Sequence, residues 1–221
     1  MSKKNKKPKS KGKKIKRILV FIFVLLIAGG LVYFALFNNK GKETTVKKKK
    51  IVDKIDNFDY SISETDSKLF KKEFKKLKEV LSKKEVDNEK YSQEVAKLFV
   101  IDFYTLNNKM TKNDIGGVQF VYNNYKATFI DKARDEFYRY VKNNLDGKRD
   151  QNLPEVESIE VNSIEKISAG SELNSDEFNA IDEAYKVNLS WEYKEDLGYQ
   201  KSATVIVVKD GTKFSVAKLS N

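Results

Sequence analysis

Ile18 to Phe37 is the stretch that most constrains this chain: twenty consecutive positions without a charge, fifteen of them Ile, Leu, Val or Phe. At about 1.5 Å rise per residue, a helix of that length spans about 30 Å, the hydrocarbon thickness of a bilayer. Ten cations precede the run: Lys3, Lys4, Lys6, Lys7, Lys9, Lys11, Lys13, Lys14, Lys16 and Arg17. Six follow it: Lys40, Lys42, Lys47, Lys48, Lys49 and Lys50. The pattern predicts a transmembrane helix over 18–37, with residues 1–17 as a basic cytoplasmic tail. The cation bias places everything after the span on the extracytoplasmic side of the cell membrane. Lys13, Lys14, Lys16 and Arg17 on one side, and Lys47 to Lys50 on the other, would set this topology and meet anionic lipid headgroups. A cleaved signal peptide is the alternative, because Ala28-Gly29-Gly30 offers a small-x-small site. The continued apolarity of Leu31 to Phe37 favours the retained anchor.

The net charge of +11 invites a nucleic-acid reading, but its distribution argues against one. The tail carries +10 and residues 38–50 carry +5, leaving −4 on residues 51–221. A nucleic-acid-binding domain concentrates cations on a folded face, whereas here they flank the span. Membrane lipids and other envelope proteins are the expected partners instead. With no cysteine, the chain can form no disulfide despite its expected compartment. The abundance of Lys, Asn and Ile points to an AT-rich bacterial genome.

Beyond a juxtamembrane stalk assigned to residues 38–66, residues 67–221 read as one α+β domain. Within the stalk, Ile51, Ile55, Phe58 and Ile62 recur at helical spacing, a short stripe suited to self-association. A second stripe at Phe70, Phe74, Leu77 and Leu81 predicts a helix with a narrow apolar seam. Ser92 to Asn107 reads as the next helix, with Ser92 as its cap. Its segment Leu98 to Tyr104 is apolar nearly all round and should be deeply buried. A polar loop ends at Gly116-Gly117, and a long third helix is expected to run to about Asn144, carrying Val118, Val121, Tyr122, Tyr125, Phe129, Ala133, Phe137 and Tyr140.

After Pro154 the hydrophobic period changes from 3.6 to 2. Val156 to Ile167 predicts a strand, bulged before Ile164. Tyr185, Val187, Leu189, Trp191 and Tyr193 alternate with polar residues, a half-buried strand. Ser202 to Val208 is a continuous apolar strand, and Asp210-Gly211 turns into a last strand through Phe214 and Val216. The expectation is three helices packed on a four-stranded, mostly antiparallel, curved sheet.

The chain has no histidine, which together with the missing cysteine removes the common nucleophilic triads and nitrogen- or sulfur-ligated zinc sites. No phosphate-binding glycine loop or EF-hand spacing occurs, so no cofactor and no metal is expected. Asp102 is the one residue that breaks a local rule, because it falls on the apolar stripe of Val95, Leu98, Phe99 and Leu106. Buried there, it requires a partner. Arg134 and Arg139 on the expected third helix, or a tyrosine hydroxyl, are candidates for a structural pair. The functional alternative is an Asp base of raised pKa in a tyrosine-lined pocket.

The helical segment around Leu98 to Tyr104, the helix after Gly116-Gly117 and the strands around Trp191 and Val205 together resemble the nuclear transport factor 2-like fold. With a basic tail and one span, the layout resembles the assembly-factor subunits of type IV secretion and conjugation machines. This resemblance covers residues 60 to 219 and rests on architecture, so it assigns no site residue. It implies a non-enzymatic protein-interaction domain held at the membrane. The alternative it leaves open is a small-ligand-binding or isomerase-like domain with an acid/base carboxylate in a concave pocket.

Overall fold

A computed structural model describes residues 49–173 and 176–220. The apolar run 18–37, the basic tail and the lysines up to Lys48 lie outside the described residues. Among those described, no helix is long and apolar enough to cross a membrane.

The sheet follows the period-2 pattern closely. Four strands, β3 (Val156–Ile167), β4 (Ala184–Tyr193), β5 (Ser202–Asp210) and β6 (Lys213–Ser220), form an antiparallel meander in sequence order. Tyr185, Val187, Leu189, Trp191 and Tyr193 of β4 are buried while the intervening residues are not, as the alternation predicts. The register of β3 shifts between Val161 and Ser163, placing a bulge just before Ile164. β5 is apolar on both faces because both are covered. One face joins the main core, and Ile206 and Val208 on the other pack with Ala169 and Phe178. Those two come from the connection after β3, which holds a short helix (Ala169–Leu173) and a 3-10 turn (Asp176–Phe178).

Helix α1 (Lys68–Leu81) is capped by the Ser67 side chain, which accepts from the Phe70 amide. It buries Phe70, Phe74, Leu77 and Val80 against its own domain. Helix α2 (Asn88–Tyr104) crosses the sheet and is buried on nearly every side from Val95 onward. It begins earlier than the sequence suggests. Asp87, whose carboxylate accepts from the Lys90 amide, is the cap, and Ser92 sits within the first turns with its hydroxyl donating to Glu89 O. Asp and Ser are comparable caps, so composition alone does not choose between them.

Two further expectations fail, and both failures are instances of tertiary contacts overriding local period. Residues 51–63 are not helical. β1 (Ile51–Ile55) and β2 (Tyr60–Ser63) form an antiparallel hairpin, reversed by a 3-10 turn and by Asp59 at φ 53°. The segment is rich in β-branched residues, and its turn Asp56-Asn57-Phe58-Asp59 supplies residues that tolerate the left-handed region. The relevant pair is therefore Tyr60 and Ile62, two apart and both buried in the core. The hairpin belongs to the compact unit Val46–Asn221, so the folded domain starts well before residue 67.

The long third helix is likewise broken. After Gly117 (φ 77°) come 3-10 turns at Val118–Phe120 and Asn123–Tyr125, and only Lys126–Asp135 is α-helix, α3. Val121 makes a parallel bridge to Val216, and the Tyr122 amide donates to Val216 O, which removes these residues from any helical ladder. Asn123-Asn124 then restarts the chain, in keeping with the preference of Asn for turns over helix interiors.

Candidate functional site

Asp102 lies near the end of α2, at the closure of the polar loop 107–117. Its Oδ1 accepts from Lys109 Nζ at 2.5 Å and its Oδ2 accepts from the Gly117 amide at 2.7 Å. Lys109 is completely buried and the Asp102 side chain is 16% exposed. The glycines make this approach feasible. A Cβ on Gly116 would stand 2.1 Å from Asp102 O, and one on Gly117 would stand 2.8 Å from the Phe99 ring. Arg149 straps the same loop, donating to Lys109 O and Asn107 O. Lys49 is drawn in as well, paired with the buried Asp114 at 3.0 Å, while Lys50 is exposed.

Neither expected arginine reaches Asp102. Arg134 pairs with Asp131 and Asp135 on its own surface, and Arg139 lies over the Tyr140 ring. The break after Gly117 turns the expected helical face elsewhere. Tyr138 enters the core instead, donating to Phe103 O and accepting from the Gly116 amide. Burial pushes Asp102 up, but the Lys109 ammonium and the Gly117 amide pull harder and hold it below its ordinary value. A carboxylate held ionised between two donors is a poor proton acceptor at neutral pH. The raised-pKa base expected in the functional alternative is therefore corrected: Asp102 is a structural clamp.

A carboxylate depressed in the folded state contributes stability that is complete above its unfolded value of 3.8 and is lost as pH falls through the folded value. Glu73 acts in the same direction. Its burial raises it, but Lys97 and Lys76 more than offset that. The melting temperature is therefore expected to fall on acidification from about pH 5 to about pH 3. Fluorescence of the single, buried Trp191 reads this out. A constant melting temperature over that range would refute the clamp.

A second buried charge cluster lies between α1 and α2. Lys97 bridges Glu73 and Glu94, at 2.5 Å and 2.7 Å, with all three side chains 10% exposed or less. Its only sequence signal is the pair Glu94 and Lys97 within an otherwise apolar helical stretch.

An apolar concave feature lies elsewhere. A cleft of about 540 Å³ opens between α3 and the end of β6. Phe99 and Phe103 of α2 and Val121 form its apolar floor, Phe129 and Phe137 line one wall, and Val216 to Leu219 line the other. Its charged lining is Lys132, Glu136 and Lys218, of which Lys132, Glu136 and Lys218 are all exposed. Asp102 is not part of it. Among the described residues no group of three or more His, Cys, Asp or Glu side chains stands together to hold a metal.

The four positions of the expected self-association stripe are divided by the hairpin. Ile51 is exposed, Ile55 and Phe58 pack partly against the core, and Ile62 is buried in it. No continuous apolar stripe remains, so the helical basis for self-association is lost. No protein-family model, curated protein or solved structure matches the chain.

Proposed function

We infer that this protein is a single-pass, membrane-tethered subunit whose extracytoplasmic domain binds other proteins in a bacterial envelope or transfer complex. A nuclear transport factor 2-like arrangement of helices over a meander suits that role. The observation that carries the reading is the composition of the cleft, an open aromatic trough with charges only at its mouth. Such a surface favours burial of apolar side chains from a partner and positions no buried acid or base for catalysis. Tethering would raise the effective concentration at the membrane, so a modest contact suffices. The small-ligand alternative loses its acid/base carboxylate, since Asp102 is engaged outside the cleft.

Two measurements on wall-free cells test this. Added protease should digest the domain and spare the basic tail. A photo-crosslinking phenylalanine analogue at Phe129, inside the cleft, should form a protein adduct, whereas one at Glu157 on β3 should form none. Complete protection of the domain would overturn the topology, and adducts with lipid alone at Phe129 would overturn protein docking.

A further inference from the structure

β6 is an edge strand of the meander, and its outer edge is divided into two halves. Along the first half every outward polar group is engaged. Phe214 donates its amide to Tyr91 Oη and accepts at its carbonyl from Tyr60 Oη, and Val216 O accepts from the Tyr122 amide. The register then shifts at Ala217. From Ala217 to Ser220, no element among the described residues pairs with the outer edge. This open half is also the strand-side wall of the aromatic cleft, with α3 as the facing wall.

An open strand edge beside a helix, with an apolar floor between, has the layout of sites that take an extended peptide as an added strand. We propose that the cleft binds an extended, acidic peptide segment of a partner protein, which joins β6 beyond Ala217 and places apolar side chains on the aromatic floor. The proposal rests on the docking function inferred above and names the chemistry of the docked segment.

Two observations select this occupant. The unpaired edge presents main-chain amides and carbonyls, which a peptide backbone satisfies and a lipid chain does not. Charge selects among peptides. Lys132 stands on the helix wall and Lys218 on the strand wall; among the described residues Lys132 has no ion pair, and Lys218 lies within electrostatic reach of Glu172. A carboxylate in the segment between them meets both. A second copy of β6 would instead bring another Lys218 against these lysines, a like-charge contact that opposes homodimerisation through this edge.

The test uses the full chain in lipid nanodiscs and a display library of random linear peptides. Selected peptides should share apolar residues at alternate positions with an Asp or Glu between them. Methylating alternate backbone nitrogens of a selected peptide should weaken binding about tenfold or more in one register and little in the other. Lys132→Glu should abolish the preference for the acidic residue. Thr128→Trp, an exposed change at the mouth of the cleft, should abolish binding while leaving the melting temperature unchanged.

Three results would each overturn the proposal: no enrichment over the Thr128→Trp protein, selected peptides that tolerate methylation in both registers, or a preference for the acidic residue that survives Lys132→Glu unchanged. A protein adduct at Phe129 combined with any of these would leave docking standing and remove strand addition. Loss of the adduct would remove docking itself.

Discussion

Asp102→Ala is expected to destabilise the domain by about 3 to 5 kcal/mol, because it leaves Lys109 buried and charged without its counter-ion. Lys109 has no exposure at all, so water cannot take over the role of the carboxylate. The Gly117 amide loses its acceptor in the same step. Asp102→Asn should cost less, since one acceptor oxygen and the shape are kept, but one of the two donors is still left unmatched. The double change Asp102→Ala with Lys109→Met should recover part of the loss by removing the stranded charge. Denaturant unfolding followed by Trp191 fluorescence measures all three. A cost below about 1 kcal/mol for the alanine variant would mean that the pair contributes no more than an exposed one.

Lys97→Met should be comparably severe, at about 3 kcal/mol or more, for the converse reason: two buried carboxylates then face each other without the cation between them. Glu94 is already raised by burial, only partly offset by Lys97, and one of its oxygens has no partner. Without Lys97, both carboxyls should shift upward. A carboxylic acid raised in the folded state takes up a proton on folding, so stability falls as pH rises from the unfolded value of 4.5 through the folded value. The deficit of the variant relative to the parent should therefore be smaller at about pH 5 than at about pH 8. A deficit that does not change with pH would show that lost packing of the lysine stem, rather than carboxylate repulsion, explains the effect.

The two halves of the domain differ in how well the sequence announces them. β4 is read directly from Tyr185 to Tyr193, because alternation on a half-buried strand is a one-residue rule that few other structures satisfy. Even the bulge in β3 shows as a slip in its apolar pattern. Residues 51–62 and 118–140 are misread because spacings of three and four arise by chance in short segments. What decided them was distant: Tyr60 bonds to Phe214, and Val121 bridges to Val216.

The site was legible only in part. Asp102 stands out as a charge on an apolar stripe, but its partner does not. Lys109 lies one loop away in a chain with 39 lysines, and nothing in composition separates one from another. Favouring Arg134 and Arg139 for their fork geometry was sound chemistry. It assumed a helix that the Asn123-Asn124 restart does not allow. The cleft is less legible still, since it is defined by where α3 stops and where β6 loses its neighbour.

The tyrosine pair at Phe214 has a consequence for the integrity of the molecule. Tyr60 donates to Phe214 O and therefore receives its own bond from Tyr91, which in turn accepts from the Phe214 amide, so the three groups close a ring. The member supplied by β2 comes from the hairpin at the start of the described residues. A cut or displacement of residues 51–63 would do more than remove a hairpin. It would free the Phe214 carbonyl, while the Tyr91 hydroxyl still holds the Phe214 amide and the Tyr122 amide still holds Val216 O. The hairpin thus supplies one of the bonds that close the first half of the β6 edge, and a cut between its strands would add an open acceptor beside the half that is unpaired among the described residues.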